Sequence, residues 1–198
     1  MKYIKEPEKQ IPVLSEYDTF VAGGGIAGIS AALAAARNGA KVLLAEREFL
    51  LGGLATLGLV TIYLPLCDGL GRQVSFGIAE ELLRLSVKHG YEGKYCPCWL
   101  ENGTKDERRK KRFEVQFNPY VFGIEAEQLL RANGVDLLYG TSVCGTITEN
   151  SRIAYVILEN KSGRNAVRVK NVIDATGDAD IAMQSEEATV LFLSLIHI

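Results

Sequence analysis

Gly23-Gly24-Gly25-Ile26-Ala27-Gly28 follows a short apolar segment and opens an alanine-rich one. This GxGxxG spacing suits a pyrophosphate. Gly23 permits a sharp turn, Gly25 lets the backbone approach the phosphates, and Gly28 lets a helix pack closely on a strand. The helix N-terminus supplies N–H groups and the positive end of its dipole. The hexad alone is a weak signal, since a glycine-rich turn can precede any alanine-rich helix. Glu46, at the end of the next apolar run, strengthens it. A carboxylate there accepts hydrogen bonds from an adenosine ribose and repels a 2′-phosphate, which disfavours NADP.

The elements that must position these residues are legible in the pattern. Asp18–Ala22 reads as a short buried strand, Ile29–Ala36 as a helix stopped at Gly39, and Lys41–Glu46 as the next strand, which completes a βαβ unit. Gly77–His89 has helical apolar spacing and ends at Gly90. Tyr91–Arg112 is polar and reads as irregular. Asn118-Pro119 supplies an N-cap and a first-turn proline for a helix to about Asn133, with Gly134 as its stop. A strand at Val135–Tyr139 comes next, then three β runs at Ser142–Thr148, Ile153–Glu159 and Ala166–Val169, separated by turn residues as in a meander. Val172–Thr176 reads as a last buried strand ending at Gly177.

Composition limits the function classes. The 198 residues are 47% hydrophobic and 23% charged, with 22 basic against 24 acidic side chains and a net charge of −2. That is enough apolar content for a real core, and too little charge asymmetry to draw the chain to nucleic acid or an anionic membrane. The amino-terminal stretch carries no apolar signal core, and the four cysteines form no dense disulfide framework. The expected compartment is the cytoplasm. Phe49–Cys67 is uncharged and long enough to cross a bilayer, but Gly52, Gly53, Gly58 and Pro65 interrupt it right after a nucleotide-binding unit. It is expected to be a buried, loop-rich lining for a flat cofactor, with no membrane span.

Together, Gly23–Gly28, Glu46-Arg47, Gly52-Gly53-Leu54-Ala55-Thr56 and Ile173-Asp174-Ala175-Thr176-Gly177-Asp178 resemble the FAD-dependent oxidoreductases of the glutathione-reductase structural type. The resemblance covers about Tyr17 to Ala182. It implies an α/β fold: a Rossmann-like FAD-binding domain with a parallel sheet and a β-meander crossover, truncated at its C-terminus. It also implies FAD as cofactor, with the loop Gly53–Thr56 beside the ribityl chain and isoalloxazine. The backbone of Val143 would meet the adenine, and Thr176, Gly177 and Asp178 would close near the dinucleotide. Cofactor-binding residues on this reading are Gly23, Gly24, Gly25, Ile26, Ala27, Gly28, Glu46, Arg47, Gly53, Ala55, Thr56, Val143, Thr176, Gly177 and Asp178. Members of the family have a later strand and Gly-Asp turn, and a substrate-capping region, that find no match here.

The implied function is hydride transfer from a small organic substrate to FAD, with electrons passed to an unidentified acceptor. Two alternatives share the nucleotide fold: a flavin-dependent RNA-modifying enzyme, and a dinucleotide-binding or electron-transfer module without turnover. No catalytic residue is assigned, and the sequence does not fix an oligomeric state. Nucleic acid is not an expected partner, because the charged run Lys105–Arg112 lacks interleaved aromatics and reads as a solvated loop. No metal site is expected. Cys96-Pro97-Cys98 offers a redox pair or half a metal site, but further zinc ligands are few and the two read as ordinary thiols; Cys67, the better redox candidate because it ends the apolar stretch, reads as a small buried hydrophobe. His89 suits the dipole at a helix C-terminus.

Residues 1–16 form a polar lead-in, 17–184 the FAD-binding domain with 60–118 as an insertion toward the substrate side, and 185–198 a doubtful tail. Within the tail, Leu193–Ile198 matches a translated sequencing-adapter end, so the natural chain is expected to continue differently and His197 to carry no function.

Overall fold

Consecutive apolar residues at Phe20-Val21-Ala22 and Leu43-Leu44-Ala45 send side chains to opposite faces of one sheet, because successive strand residues alternate. The computed structural model describes residues 4–5, 7–63, 66–89, 96–101, 103–111 and 113–185. Its strands are β1 (Val13–Ala22), β2 (Val42–Ala45), β3 (Ile62–Tyr63), β4 (Val115–Gln116), β5 (Asp136–Leu138), β6 (Ser142–Glu149), β7 (Arg152–Asn160) and β8 (Gly163–Asp174). The helices are α1 (Ile26–Arg37), α2 (Ile78–Val87), α3 (Pro97–Leu100), α4 (Lys105–Lys110), α5 (Pro119–Ala132) and α6 (Asp180–Gln184). The main sheet runs β5-β2-β1-β8-β7-β6, parallel through its first four strands and antiparallel across the meander. This is the mixed α/β sheet that the sequence implies.

Each face of the sheet has its own core. On one, Val21, Val42 and Leu44 pack with Ile29 and Leu33 of α1, Leu82 of α2, and Phe122 and Leu130 of α5. On the other, Phe20, Ala22, Leu43 and Ala45 pack with Val156 and Leu158 of β7 and Val167 and Val169 of β8. Burying a side chain such as Phe20 or Leu44 contributes about 1.5–3 kcal/mol. Helix α5 begins as its sequence dictates: the Asn118 side chain accepts from the amides of Tyr120 and Val121, with Pro119 in the first turn.

Four expectations need correction. Strand β1 begins at Val13, inside the stretch expected as lead-in, because Val13–Tyr17 pairs with Ala166–Val169 of β8. The two expected strands Ala166–Val169 and Val172–Thr176 are one strand, β8, which continues through Lys170-Asn171 because β1 supplies hydrogen-bonding partners along its length. The run Lys105–Lys110 is a helix, nucleated by a capping box between Thr104 and Glu107. The apolar run from Phe49 is loop-rich but largely uncovered: Leu51 is buried, while Phe49 is 84% and Leu54 74% exposed.

Ile62–Tyr63 pairs with Val115–Gln116, so the chain between them leaves and returns at one point. Within that excursion α2 still joins the main core, and Arg37 of α1 forms a two-pronged ion pair with Glu81 at 2.7 Å per contact. A smaller core of Leu83, Cys96, Trp99, Phe113 and Val115 joins α2, α3 and β4. Residues 186–198, and with them the adapter-like end and His197, lie outside the described residues, as does Pro65.

Candidate functional site

Three segments converge at the C-terminal ends of β1, β2 and β8. The first is the turn from Gly23 into α1. Gly23 has φ +96°, and a Cβ there would lie 2.5 Å from the carbonyl oxygen of Ala175. A Cβ on Gly28 would collide with the carbonyl oxygen of Gly23. Gly25 caps α1 with no side-chain hydrogen bond, and nothing lies within 4 Å of where its Cβ would be. Ile26 and Ala27 are exposed, so the amides of the first helical turn face an open space. An uncapped twelve-residue helix with no acidic side chain in its first turn, opening on room beside a glycine, is a fitting phosphate cradle.

The second segment is the 3₁₀ turn Gly53–Ala55. The Gly52 amide donates to the Gly24 carbonyl at 2.8 Å, and Gly53 lies so close to Gly25 that a Cβ on it would be 3.2 Å from the Gly25 Cα. The third segment, Ala175–Asp178, backs onto Gly23. Its turn is organised by Asp174, whose carboxylate accepts from the Thr176 hydroxyl at 2.7 Å, and from the amides of Thr176 at 3.1 Å, Ile181 at 2.9 Å and Ala182 at 3.2 Å. Burial alone would raise the Asp174 carboxyl, but these hydrogen bonds outweigh it and hold the group below the ordinary carboxylate value.

Glu46 does more than stand at the end of β2. It is 8% exposed; Oε2 accepts the Gly24 amide at 2.6 Å and Oε1 accepts the Glu48 amide at 2.9 Å. Its own amide donates to Leu138 and its carbonyl accepts from Thr141, so both ends of the residue are pinned. Each carboxylate oxygen keeps a second lone pair for a ribose hydroxyl. The phenol of nearby Tyr139 is pushed up by burial first, then by its hydrogen bond to Glu127 and the charges of Glu127 and Glu46.

The remaining expected site residues take different positions. The Thr56 side chain does not turn toward the open space: it is 2% exposed, and its hydroxyl donates to the Leu51 carbonyl at 2.7 Å. Ala55 is also buried. Arg47 is exposed and leans on Glu48 at 3.6 Å. The Val143 carbonyl accepts from the Gln184 side chain at 3.2 Å. Thr176 points its hydroxyl toward α6, where it accepts the Asp180 amide at 3.1 Å; Gly177 and Asp178 are exposed. Asp174 and Gln184 were not among the expected site residues. An acidic residue two positions before a threonine and just ahead of a short helix is the local signal that marks Asp174.

A surface depression of about 950 Å³ lies beside the middle of β1, lined by Glu16, Asp18, Lys41, Arg152, Arg168 and Lys170. Its charges pair across it, Arg168 with Glu16 at 3.3 Å and Lys170 with Asp18 at 2.6 Å. It is remote from the glycine turn and shares no residue with it.

A glycine turn on an uncapped helix, closed by an acidic residue from the second strand and a turn after a meander, defines a dinucleotide-binding flavoprotein fold. The FAD dependent oxidoreductase family model matches residues 18–191, and the chain belongs to that family. It is 34% identical over 76 residues to the thioredoxin reductase of Ureaplasma parvum, a match that takes in 38% of this chain and 25% of that protein. Among solved structures it resembles a geranylgeranyl bacteriochlorophyll reductase-like protein from Thermoplasma acidophilum, with TM-score 0.59, 19% identity, and coverage of 90% of this chain and 44% of that one. It also resembles the L-proline dehydrogenase from P. horikoshii, with TM-score 0.60, 15% identity, and coverage of 92% of this chain and 58% of that one. The chain thus spans only part of the length of each of these proteins. The family is a flavin-dependent redox family with FAD as its cofactor, and among the described residues no helix is long and apolar enough to cross a membrane.

Proposed function

We propose that this chain holds the FAD of an oxidoreductase that removes hydride from a small organic substrate and passes the electrons to a separate acceptor. The observation that carries the reading is the uncapped α1 N-terminus, open at Gly25 and framed by Gly52-Gly53 and by Ala175. When bound, FAD supplies a two-electron acceptor that the side chains of this protein lack.

On this reading the amides of Ile26, Ala27 and Gly28 take the pyrophosphate. Glu46 offers its remaining lone pairs to the adenosine ribose and, by its charge, rejects a 2′-phosphate. The backbone of Gly53–Thr56 lies alongside the ribityl end, and the exposed turn Gly177-Asp178 closes on the same space. Arg47 and Val143 complete the proposed contacts, Val143 through its backbone to the adenine once the Gln184 side chain yields its carbonyl. Residues 17–184 act as the binding domain, and 60–118 as the excursion facing the substrate. A cytoplasmic setting belongs to the same proposal.

The test is to purify the protein, record its visible absorption and identify the cofactor released by denaturation. Stoichiometric, non-covalent FAD is expected. Isolation of tightly bound NAD without flavin would overturn the assignment.

A further inference from the structure

Cys96 and Cys98 flank Pro97 at the start of α3, and their Sγ atoms lie 3.6 Å apart. The pair is asymmetric. Cys96 is 2% exposed within the small core of Leu83, Trp99, Phe113 and Val115, whereas Cys98 is half-buried at the edge of that core. Among the described residues no group of three or more metal-ligating side chains assembles. Two thiols in contact, one reachable from solvent and one behind it, are the arrangement that thiol–disulfide exchange uses.

We propose that Cys96 and Cys98 are a dithiol site that reacts with low-molecular-weight disulfides, closing to an intrachain disulfide and reopening with thiol. This inference does not rest on the cofactor reading. In the first step the Cys98 sulfur, as thiolate, attacks one sulfur of RS–SR; the S–S bond breaks, RS⁻ leaves, and Cys98 carries a mixed disulfide. In the second step Cys96 gives its proton to solvent and its sulfur attacks the Cys98 sulfur, expelling a second RS⁻. In sum, two protein thiols and one small disulfide become one protein disulfide and two small thiols. Two electrons pass from the cysteines to RS–SR.

The surroundings order these steps. Burial, the contact with Cys98 and the charge that Cys98 carries as thiolate push the Cys96 thiol up to about 11. Cys96 therefore keeps its proton, which leaves the more accessible Cys98 as the attacking sulfur. Once Cys98 is a mixed disulfide that charge is gone, and Cys96 ionises more readily as the resolving sulfur. The turn itself is already set: the amides of Trp99 and Leu100 donate to the Cys96 carbonyl at 3.0 and 3.2 Å, and Arg108 Nε donates to the Cys98 carbonyl at 2.7 Å. Closing a loop with one intervening residue gains little chain entropy, so the surrounding thiol–disulfide ratio decides the state of the pair.

Trp99, the single tryptophan of the chain, is the built-in reporter. It follows Cys98 directly, and its indole donates to the Lys111 carbonyl at 2.9 Å under the Arg108 guanidinium. The experiment equilibrates the purified protein with glutathione mixtures of rising oxidised fraction, quenches with acid, alkylates, and reads the peptide carrying Cys96 and Cys98 by mass. In wild type both alkylation adducts are expected to vanish together, the peptide to be lighter by two hydrogens, and Trp99 emission to fall in step. Reduced glutathione should reverse all three. Cys98→Ser should abolish the reaction, Cys96→Ser should trap glutathione on Cys98, and Cys67→Ser and Cys144→Ser should behave as wild type. A stable glutathione adduct on Cys98 in wild type, full alkylation at every ratio, or pairing with Cys67 would each overturn the proposal. The wild-type mass result decides the matter even where a serine variant fails to fold.

Discussion

The Gly24 amide donates to Glu46 Oε2 across 2.6 Å, and through this bond the second strand of the βαβ unit grips the glycine turn of the first. The acid therefore shapes the glycine turn as well as standing beside it. A charge-assisted hydrogen bond in a site this sheltered is among the stronger polar contacts a fold can make.

Glu46→Ala should weaken both the fold and FAD binding. Loss of two charge-assisted backbone bonds costs about 1.5–3 kcal/mol each at most. Glu46→Gln should fall between, because its amide can accept from only one of the Gly24 and Glu48 donors while its NH₂ faces the other. Urea unfolding without flavin reads the first effect and FAD titration the second. Loss of FAD affinity with an unchanged unfolding midpoint would mean the turn holds its shape without the acid.

The Thr56 hydroxyl points inward to the Leu51 carbonyl, so this residue should bear more on stability than on the potential of bound flavin. Thr56→Val leaves the Leu51 carbonyl without its 2.7 Å donor and should destabilise by about 1–3 kcal/mol. Thr56→Ser should recover most of the loss. The potential of bound flavin should stay close to wild type in both variants. A shifted potential with unchanged stability would show that the hydroxyl acts on the cofactor and not on the packing of the loop.

Some of this architecture was legible because its signals are local. Asn118-Pro119 states where α5 begins, and Gly39 and Gly134, with φ +84° and +77°, state where two helices end. The GxGxxG hexad and Glu46 come together at one corner of the sheet, at the ends of β1 and β2. Strand β8 was not legible as one element, since Lys170 and Asn171 interrupt its apolar run and only pairing with β1 carries it through. Nor could the sequence show which way Thr56 faces, or that Glu46 holds an amide 22 residues away, because a backbone donor has no residue type to read. Cys96 and Cys98 looked ordinary for a similar reason: adjacency in sequence does not state a sulfur–sulfur distance.

Gly25 and Gly28 should separate binding from folding. At Gly25 the backbone angles suit any residue, φ −68° and ψ −178°, and nothing lies within 4 Å of an added Cβ. Gly25→Ala should therefore change stability by no more than about 1 kcal/mol, the compatible backbone angles offsetting the poorer N-cap. It should still abolish FAD retention, because the methyl group fills the phosphate space. At Gly28 the added methyl strikes the Gly23 carbonyl and forces α1 away from β1, so Gly28→Ala should cost about 1–3 kcal/mol or prevent folding. Equal FAD affinity in wild type and Gly25→Ala would show that the phosphates lie elsewhere.

Asp174 should make the turn Ala175–Asp178 sensitive to acid. Its carboxyl lies below the ordinary carboxylate value in the fold, since the hydrogen bonds from Thr176, Ala182 and Ile181 favour the charged form over the opposing effect of burial. A depressed folded value means its stabilisation is fully present above the unfolded carboxylate value and is lost as pH falls through the folded one. Asp18, Asp68, Glu80, Glu81 and Glu107 are lowered too, so wild type alone would show only their combined acid response. The informative quantity is the difference in Tm between wild type and Asp174→Asn at each pH. It should be largest near neutrality and shrink as pH drops below about 4, where the unfolded carboxyl begins to hold its proton. In the same variant the amides of Ile181 and Ala182 meet an NH₂ or a weaker acceptor, so α6 should fray and the turn behind Gly23 should loosen. FAD affinity should fall with it at neutral pH. A Tm difference that stays constant down to pH 3 would show that the Asp174 charge contributes nothing and that the turn is held by packing against Gly23 alone.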